Sequence, residues 1–321
     1  MPTPIPFVRD IEFSYGAPDR VSPLIRRVVA DNPSKFTYLG TGTYIVGRGR
    51  VAVIDPGPAI AAHIDAIVDA LEPGEEISHL VVTHTHTDHS PGAALLKARV
   101  GALTYGYGPH GAIADDDPAD VVMFGDPEAD ATPRGRDGDE LREGADTDFR
   151  PDILLRDGDA ITGPGWTLRA VHTPGHTSNH LCYALEEEQA LFTGDHVMGW
   201  STTVIGPPDG SLGQYLASLR LLLDRDDVRY WPTHGPPVER PAELVRALIA
   251  HREERTAQIL DVLHRGPATI AEIVPALYAD VSKGLWRAAG ASVFAHLLAL
   301  VDDGRVLCDG LPRRTSRYRV A

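Results

Sequence analysis

The chain has 321 residues and a mass of 34.6 kDa, which predicts one large domain with a smaller one attached. Its 43% hydrophobic and 23% charged residues exclude a wholly disordered protein. The formal charge of -15 disfavours a general nucleic-acid coat, because such a surface repels phosphate backbones.

Targeting and redox features predict a cytoplasmic protein that is not embedded in a membrane. No uninterrupted apolar run reaches the roughly 18 residues needed to span a bilayer. The first residues also lack the basic and apolar regions of a signal peptide. The two cysteines, Cys182 and Cys308, lie far apart and form no C-x-x-C pair, which is typical of a reduced protein.

The first hundred residues predict a layered α/β plan. Residues 36–46 and 51–54 are rich in β-branched and aromatic side chains and flank a glycine turn, which predicts a hairpin. Residues 60–71 have apolar side chains at helical spacing. Residues 79–83 form a short apolar run that is typical of a strand buried on both faces.

The segment 109–150 interrupts this pattern. It has 13 acidic residues, four basic residues and few apolar ones, and therefore predicts a surface insertion. Because it stands between two groups of candidate site residues in the sequence, it is either a lid or rim of the site or a solvated loop without a catalytic role. Further elements are then predicted, namely strands at 166–171, 181–185, 190–192 and 229–231 and a helix at 212–223.

The C-terminal part predicts a small separate unit. A long helix over residues 239–265 ends at Gly266-Pro267. Helical patterns at 269–277 and 282–301 follow, and then strand-like patterns at 305–308 and 317–320. Two helices and a hairpin are the elements of a winged helix, so we predict a catalytic domain over residues 1–250 and a winged-helix domain over 251–321.

A run of metal-capable side chains follows the predicted strand at 79–83. The residues are Thr83-His84-Thr85-His86-Thr87-Asp88-His89. In an extended loop, His84 and His86 project to one side as a single metal ion requires, and Asp88 and His89 can turn toward a second ion. Three more candidates stand just beyond other predicted strands: His176, Asp195 and His234. Strand ends are where an α/β scaffold places its sites, so a metal centre is predicted there.

These motifs resemble those of the metallo-β-lactamase superfamily, in the same order along the chain: HxHxDH at 84–89, TPGHT at 173–177, GD at 194–195 and HG at 234–235. The resemblance implies a four-layered αββα sandwich with a dinuclear centre at one edge of the two sheets. It also implies that His84, His86 and His176 hold one ion, that Asp88, His89 and His234 hold the other, and that Asp195 bridges the two. Imidazole and carboxylate ligands without thiolate suit Zn(II), two ions per chain, and would also accept Mn(II) or Fe(II).

The ligand set predicts hydrolysis. Two ions lower the pKa of a shared water and polarise the substrate oxygen, so that hydroxide attacks a carbonyl or phosphoryl centre. We predict that Asp88 is a catalytic residue that steers the proton. The bridging position of Asp195 is typical of the glyoxalase-II-like, lactonase-like and ribonuclease-like branches. True metallo-β-lactamases lack it, which argues against β-lactamase activity.

The long helix and the C-terminal unit resemble lactamase-B-like proteins with a winged helix, a branch that includes endoribonucleases. Three activities stay open. The first is hydrolysis of a small thioester, ester or lactone, which fits the acidic surface. The second is endoribonuclease cleavage of single-stranded RNA, which four wing arginines favour: Arg313, Arg314, Arg317 and Arg319. The third is an iron-dependent sulfur dioxygenase-like reaction. The winged helix is predicted to make a homodimer or to pack against the catalytic domain rather than to bind nucleic acid.

Three other residues have two interpretations each. Asp55 either orients a metal-bound histidine from behind or is a turn or N-cap residue. His180 either supports the site or contacts substrate, or it is a structural histidine at the start of a strand. Trp200 either lines the pocket or is packed in the core. The remaining histidines, His63 and His296 among them, are predicted to be structural.

Overall fold

Two β-sheets lie face to face between helices in the computed structural model, which describes residues 4–111, 144–280 and 282–321. The acidic insertion was predicted over residues 109–150, and most of it, 112–143, lies outside the described residues. Its role as a lid or rim therefore stays a prediction.

The first sheet has seven strands in sequence order. They are β1 (Pro18–Arg20), β2 (Ile25–Val29), β3 (Gly42–Val46), β4 (Arg50–Ile54), β5 (Glu76–Val81), β6 (Leu103–Gly106) and β7 (Ile153–Leu154). Strands β1 to β4 pair antiparallel, and β4 to β7 pair parallel. Parallel pairing needs crossover connections, and α1 (Ala61–Asp69) joins β4 to β5 while α2 (Gly92–Val100) joins β5 to β6. The connection from β6 to β7 includes residues 112–143, which lie outside the described residues. The carboxyl ends of β4 and β5 therefore lie at the same edge of the sheet.

The second sheet has five strands, in the order β12-β11-β10-β9-β8. They are β8 (Ala160–Gly163), β9 (Trp166–His172), β10 (Leu181–Leu185), β11 (Ala190–Gly194) and β12 (Arg229–Pro232). Only β11 and β12 pair parallel, and they are joined through the helix α3 (Leu212–Leu223).

Three apolar layers hold the sandwich together. The first lies between the two sheets and includes Tyr44 and Phe192, whose ring centroids are 5.0 Å apart. Ile64 of α1 and Leu96 of α2 pack on the outer face of the first sheet. Residues of α3 and of the long helix α4 (Pro241–His264) pack on the outer face of the second. The order helix, sheet, sheet, helix confirms the predicted αββα sandwich.

The start of the predicted hairpin differs from expectation. Strand β3 begins at Gly42, not at residue 36, because the preceding chain turns sharply. Tyr38 has φ +58°, and Gly40 has φ +130° at a place where a Cβ would clash with the carbonyl oxygen of Ala30. A run rich in β-branched and aromatic residues therefore does not continue as a strand. The sequence pattern also did not indicate β2 or α2.

The C-terminal unit contains α5 (Ile270–Leu277), α6 (Trp286–Asp302) and a hairpin of β13 (Val306–Cys308) and β14 (Tyr318–Val320). Thr269 and Glu272 form a reciprocal capping box that begins α5. These elements share a core with the end of α4. The predicted domain boundary between residues 250 and 251 falls inside α4, and this one continuous helix packs in both units.

Within the described ranges, the segment Lys283–Asp302 is long and apolar enough to cross a membrane by length and composition. Its apolar side has a structural explanation, because Val293, Leu297 and Leu300 are buried in the core of the C-terminal unit.

Candidate metal centre

The structure brings all seven predicted ligands together at one edge of the sandwich. They arrive on four loops, each placed just after a strand. The loop after β5 supplies four of them, and the loops after β9, β11 and β12 supply one each. The seven side chains are His84, His86, Asp88, His89, His176, Asp195 and His234.

The first cluster is made of three buried imidazoles. His84 Nε2 and His176 Nε2 lie 3.0 Å and 3.1 Å from His86 Nδ1. Two nitrogens bound tetrahedrally to one Zn(II) at 2.0–2.1 Å are separated by about 3.3 Å, so this spacing fits a metal ion. Burial and then the neighbouring imidazoles of His89 and His86 hold the pKa of His84 well below its usual value. A neutral imidazole is the form that binds a metal.

The second cluster combines carboxylates with imidazoles. Asp88 Oδ2 lies 3.1 Å from His234 Nε2 and 3.5 Å from His89 Nε2. Burial opposes a charge on His89 and His234, but Asp88 and Asp195 outweigh it. The pKa of His234 is raised to about 10 and that of His89 well above its usual value. This pocket therefore attracts positive charge, which a divalent cation would supply in place of the protons.

Asp195 stands between the clusters. Its Oδ2 lies 3.5 Å from His89 Nε2 and 3.4 Å from His234 Nε2, and its carboxylate also groups with His84. Among the described residues, His89 Nε2, His234 Nε2 and Asp195 Oδ1 are buried without a hydrogen-bond partner. Buried polar atoms are rarely left without a partner, and these three converge, so the donor set fits a metal ion.

In four of the histidines, the ring nitrogen that faces away from the clusters forms a hydrogen bond with another residue. His89 Nδ1 donates to Asp55, His176 Nδ1 donates to the Val204 carbonyl at 2.7 Å, His234 Nδ1 donates to the Gly40 carbonyl at 3.1 Å, and His84 Nδ1 pairs with Thr83 Oγ1 at 3.0 Å. Such contacts set the ring orientation and leave the other nitrogen for the metal.

The position of Asp55 agrees with the interpretation that it orients a metal-bound histidine. It is fully buried and accepts hydrogen bonds from Thr83 N at 2.8 Å, from Thr233 Oγ1 at 2.9 Å and from His89 Nδ1 at 2.9 Å. It does not cap α1, whose N-cap residue is Ile60. One carboxylate therefore ties together the loops after β4, β5 and β12. Thr83 and Thr233 were not singled out from the sequence, since a threonine beside a motif carries no signal of its own.

His180 and Trp200 lie beside the clusters without belonging to them. The His180 ring is fully buried, 5.1 Å from the His84 ring, and its Nδ1 pairs with Thr173 Oγ1. The ring therefore lies behind the His84 ring, enclosed by the protein, and its role stays a prediction. Trp200 stacks on Tyr38 at 4.7 Å between ring centroids and packs over Gly235. This is the packed interpretation of Trp200, because its ring does not line the cavity described next.

A cavity of about 260 Å³ opens beside the first cluster. His86 and His176 line it on the metal side, and the 202–209 loop, α4, α6 and Arg314 form other walls. We call it the interdomain cavity. Arg252 and His296 both line it, although Arg252 was not identified from the sequence and His296 was predicted to be structural. Nothing in their local sequence indicates this position, because their helices meet the catalytic domain only in the folded chain.

Comparison with known proteins identifies the family. The model of the metallo-beta-lactamase superfamily matches residues 38–234, and that of the beta-lactamase associated winged helix domain matches residues 269–313. The chain belongs to the metallo-β-lactamase superfamily. The C-terminal unit is correspondingly a beta-lactamase associated winged helix domain.

Two curated relatives and one solved structure of similar length match most of the chain, the solved structure in its fold. The lactamase-like protein aptB of Emericella nidulans is 30% identical over 94% of this chain and 92% of its own length. The atrochrysone carboxyl ACP thioesterase dmxR1 of Cryptosporiopsis sp. is 28% identical over 94% of this chain and 85% of its own. A solved metallo-beta-lactamase family protein from Thermus thermophilus covers 94% of this chain and 100% of its own, with 24% identity and a TM-score of 0.71.

The family and the site together make this chain a hydrolase of the metallo-β-lactamase superfamily. The superfamily and the His/Asp clusters indicate that it binds divalent metal.

Proposed function

We propose that the chain is a dinuclear metal-dependent thioesterase that acts on an acyl thioester. The observation that carries this proposal is the position of the interdomain cavity directly beside His86 and His176. An acyl group bound in this cavity would have its reacting carbonyl next to the first cluster. The full-length relative named as an acyl carrier protein thioesterase supports the choice of a thioester over an ester or lactone.

Two Zn(II) ions are proposed as the cofactors. His84, His86 and His176 would hold one, Asp88, His89 and His234 would hold the other, and Asp195 would contact both. When bound, such ions supply an activated water and polarise the carbonyl oxygen. The absence of thiolate from the clusters favours Zn(II), Mn(II) or Fe(II) over softer metals.

The residues of the chain do the remaining work. Asp88 is the carboxylate with some exposure to solvent, with 15% of its side chain accessible, whereas Asp195 and Asp55 are buried. We propose that Asp88 accepts a proton from the attacking water and passes it to the leaving thiolate sulfur as the C–S bond breaks, so that a carboxylic acid and a thiol are released. Asp55 keeps the His89 ring in one orientation while this happens.

Cleavage of single-stranded RNA has weaker support from the wing. Arg317 pairs with Glu272 at 3.1 Å, and Arg319 pairs with Asp309 at 3.1 Å. These charges are neutralised locally, which reduces their attraction for phosphates. A third wing arginine, Arg314, lines the interdomain cavity instead. No contact in the described part of the chain favours the sulfur dioxygenase-like reaction.

The test is metal analysis coupled to a substrate panel. The purified protein is assayed with acyl thioesters, a lactone, single-stranded RNA and nitrocefin, before and after chelation and after return of Zn(II), Mn(II) or Fe(II). We expect about two metal equivalents per chain and thioester turnover that chelation removes. RNA cleavage without thioester turnover, or oxygen consumption by an iron-loaded protein, would overturn the proposal.

A further inference from the structure

Two ligands of the metal centre are bonded to one short segment, residues 203–204. Thr203 Oγ1 donates a hydrogen bond to the backbone carbonyl of Asp195 at 2.8 Å. The carbonyl of the next residue, Val204, accepts the hydrogen bond from His176 Nδ1 at 2.7 Å. Asp195 stands directly after β11, and His176 stands in the loop after β9. The segment 203–204 therefore connects two strand ends that carry ligands.

The long helix α4 holds this segment through Arg252. The guanidinium of Arg252 donates to the Thr203 carbonyl at 2.5 Å. Its central carbon also lies 5.6 Å from the centre of the Tyr215 ring of α3, which is within the range of a cation–π contact. Residues 202–206 have no regular secondary structure, so the position of this stretch depends on such side-chain contacts. Arg252 is thus a support of the segment 203–204.

The burial of Arg252 indicates that its charged group has a role besides packing. Its side chain is buried, with the residue only 7% exposed, and within the described ranges it forms no ion pair with a carboxylate. Arginines are rarely buried unless they are paired, because removal of the charge from water costs free energy. An apolar side chain of similar size would pack at this position without that cost.

We propose that Arg252 is a positioning residue of the metal centre. It fixes the segment 203–204, and through this segment it places Asp195 and orients the His176 ring. The inference rests on the ligand set of the proposed function, and it adds to that set a support from α4, the helix that packs in both units. Without the guanidinium, the two ligands lose the support that they share.

The experiment measures metal binding in the absence of substrate. Zn(II) affinity is obtained by titration of the full chain against a competing chelator, and the visible absorption of the Co(II)-loaded protein reports the geometry of the ligands. Arg252→Met removes the donor and keeps an unbranched side chain. We expect it to weaken Zn(II) binding by about 10–100-fold and to change the Co(II) spectrum, because loss of a group that supports metal ligands typically has an effect of this size. Arg252→Lys keeps a charged donor and should restore part of the affinity.

Two controls separate positioning from general stability. Arg255→Met is the same change three residues further along α4, where the guanidinium carbon lies 4.3 Å from the centre of the Tyr278 ring, and it should leave both readouts unchanged. Val245 is fully buried in the core between α4 and the second sheet. Val245→Ala should lower the free energy of unfolding and leave the Zn(II) affinity of the folded chain as in the wild type.

Thr203→Val tests the route from Arg252 to the ligands. Valine keeps the carbonyl that accepts from Arg252 and removes the hydroxyl that binds the Asp195 carbonyl. The variant should also weaken Zn(II) binding, and the double variant with Arg252→Met should lose less affinity than the product of the two single losses, because both changes break the same route.

Several results would overturn the inference. One is wild-type affinity and an unchanged Co(II) spectrum in Arg252→Met, and another is fully independent losses in the double variant. If Arg252→Met does not fold, wild-type affinity in both Arg252→Lys and Thr203→Val has the same meaning. A wild type that binds no metal refutes the proposed function together with this inference, whereas a wild type that binds two ions as tightly as Arg252→Met does refutes only the role of Arg252.

Discussion

The metal centre and the interdomain cavity are neighbours that share His86 and His176, yet they are built from opposite materials. The metal centre is a set of polar side chains on short loops, and four of its five histidines are held from behind by a hydrogen bond to another residue. The cavity is space beside small side chains on α6, where the C-terminal unit meets the catalytic domain.

This difference separates two tasks. The reacting groups must be held rigidly, so they come from one domain and from strand ends that the sheets fix in place. Substrate choice depends on shape, and it is supplied where two units meet. We therefore expect changes in one region to leave the other largely intact.

The largest expected effect comes from removing a ligand. Asp195→Ala and His84→Ala should each lower thioester turnover by about a thousandfold or more, because metal-ion catalysis supplies several kcal/mol to the transition state. Both variants should also lose bound metal, as measured by elemental analysis of the dialysed protein. His264→Ala, at an exposed position of α4, is the matched histidine control. Unchanged metal content in the two ligand variants would refute the assignment of the metal centre.

A substitution in the core of the C-terminal unit should lower its stability without affecting the metal centre. Leu297 is fully buried in the core around α6, and Leu297→Ala should lower the free energy of unfolding by about 2–5 kcal/mol. Metal content per folded chain should stay as in the wild type, because no ligand comes from this unit. Leu298→Ala, at the next and partly exposed position, should cost less. Thermal unfolding with metal analysis tests this, and joint loss of metal and stability would show that the two regions are not separable.

A smaller effect is expected one step behind the metal. Asp55→Asn exchanges a carboxylate oxygen for an amide group, which cannot accept the hydrogen bonds from His89 and Thr233. Loss of such outer support typically costs 10–100-fold in metal affinity, so a competitive chelator titration should show a shift of about that size. Asp65→Asn, which breaks an exposed ion pair with Arg99, is the control. Equal affinities for both variants would contradict the supporting role.

The smallest effect concerns a histidine near the metal centre that is not a ligand. Burial lowers the pKa of His63 to about 4, and its Nε2 is held by Thr43 at 2.8 Å. Between pH 6.5 and 4 the unfolded chain takes up a proton at this residue and the folded chain does not, so stability falls as the pH falls. At pH 5 this amounts to about 1–2 kcal/mol. His63→Gln does not titrate, and urea unfolding at pH 7.5 and 5 should show a smaller loss of stability for this variant than for the wild type.

The position of the ligands at strand ends was predictable because an apolar strand followed directly by histidine and aspartate is a local sequence pattern. His84, His86, Asp88 and His89 follow one strand within six residues, and their grouping follows from an extended loop. The helix α2 was not predicted, because alanine and glycine at its buried positions carry little periodic signal. The predicted start of β3 was wrong because Tyr38 has a left-handed backbone conformation, which its residue type does not favour. In the folded chain its ring stacks on Trp200.

The four ligands at 84–89 and the elements of the winged helix could be predicted from local patterns. The family, the αββα plan and the full set of seven ligands were expected from the resemblance of the motifs to those of a known superfamily. Three other features became visible only in the folded chain. Asp55 joins three loops, Trp200 packs on Tyr38, and α6 with Arg252 and His296 closes a cavity beside the metal centre. These depend on contacts between segments far apart in the chain, and the residue types involved have no spacing that would reveal them.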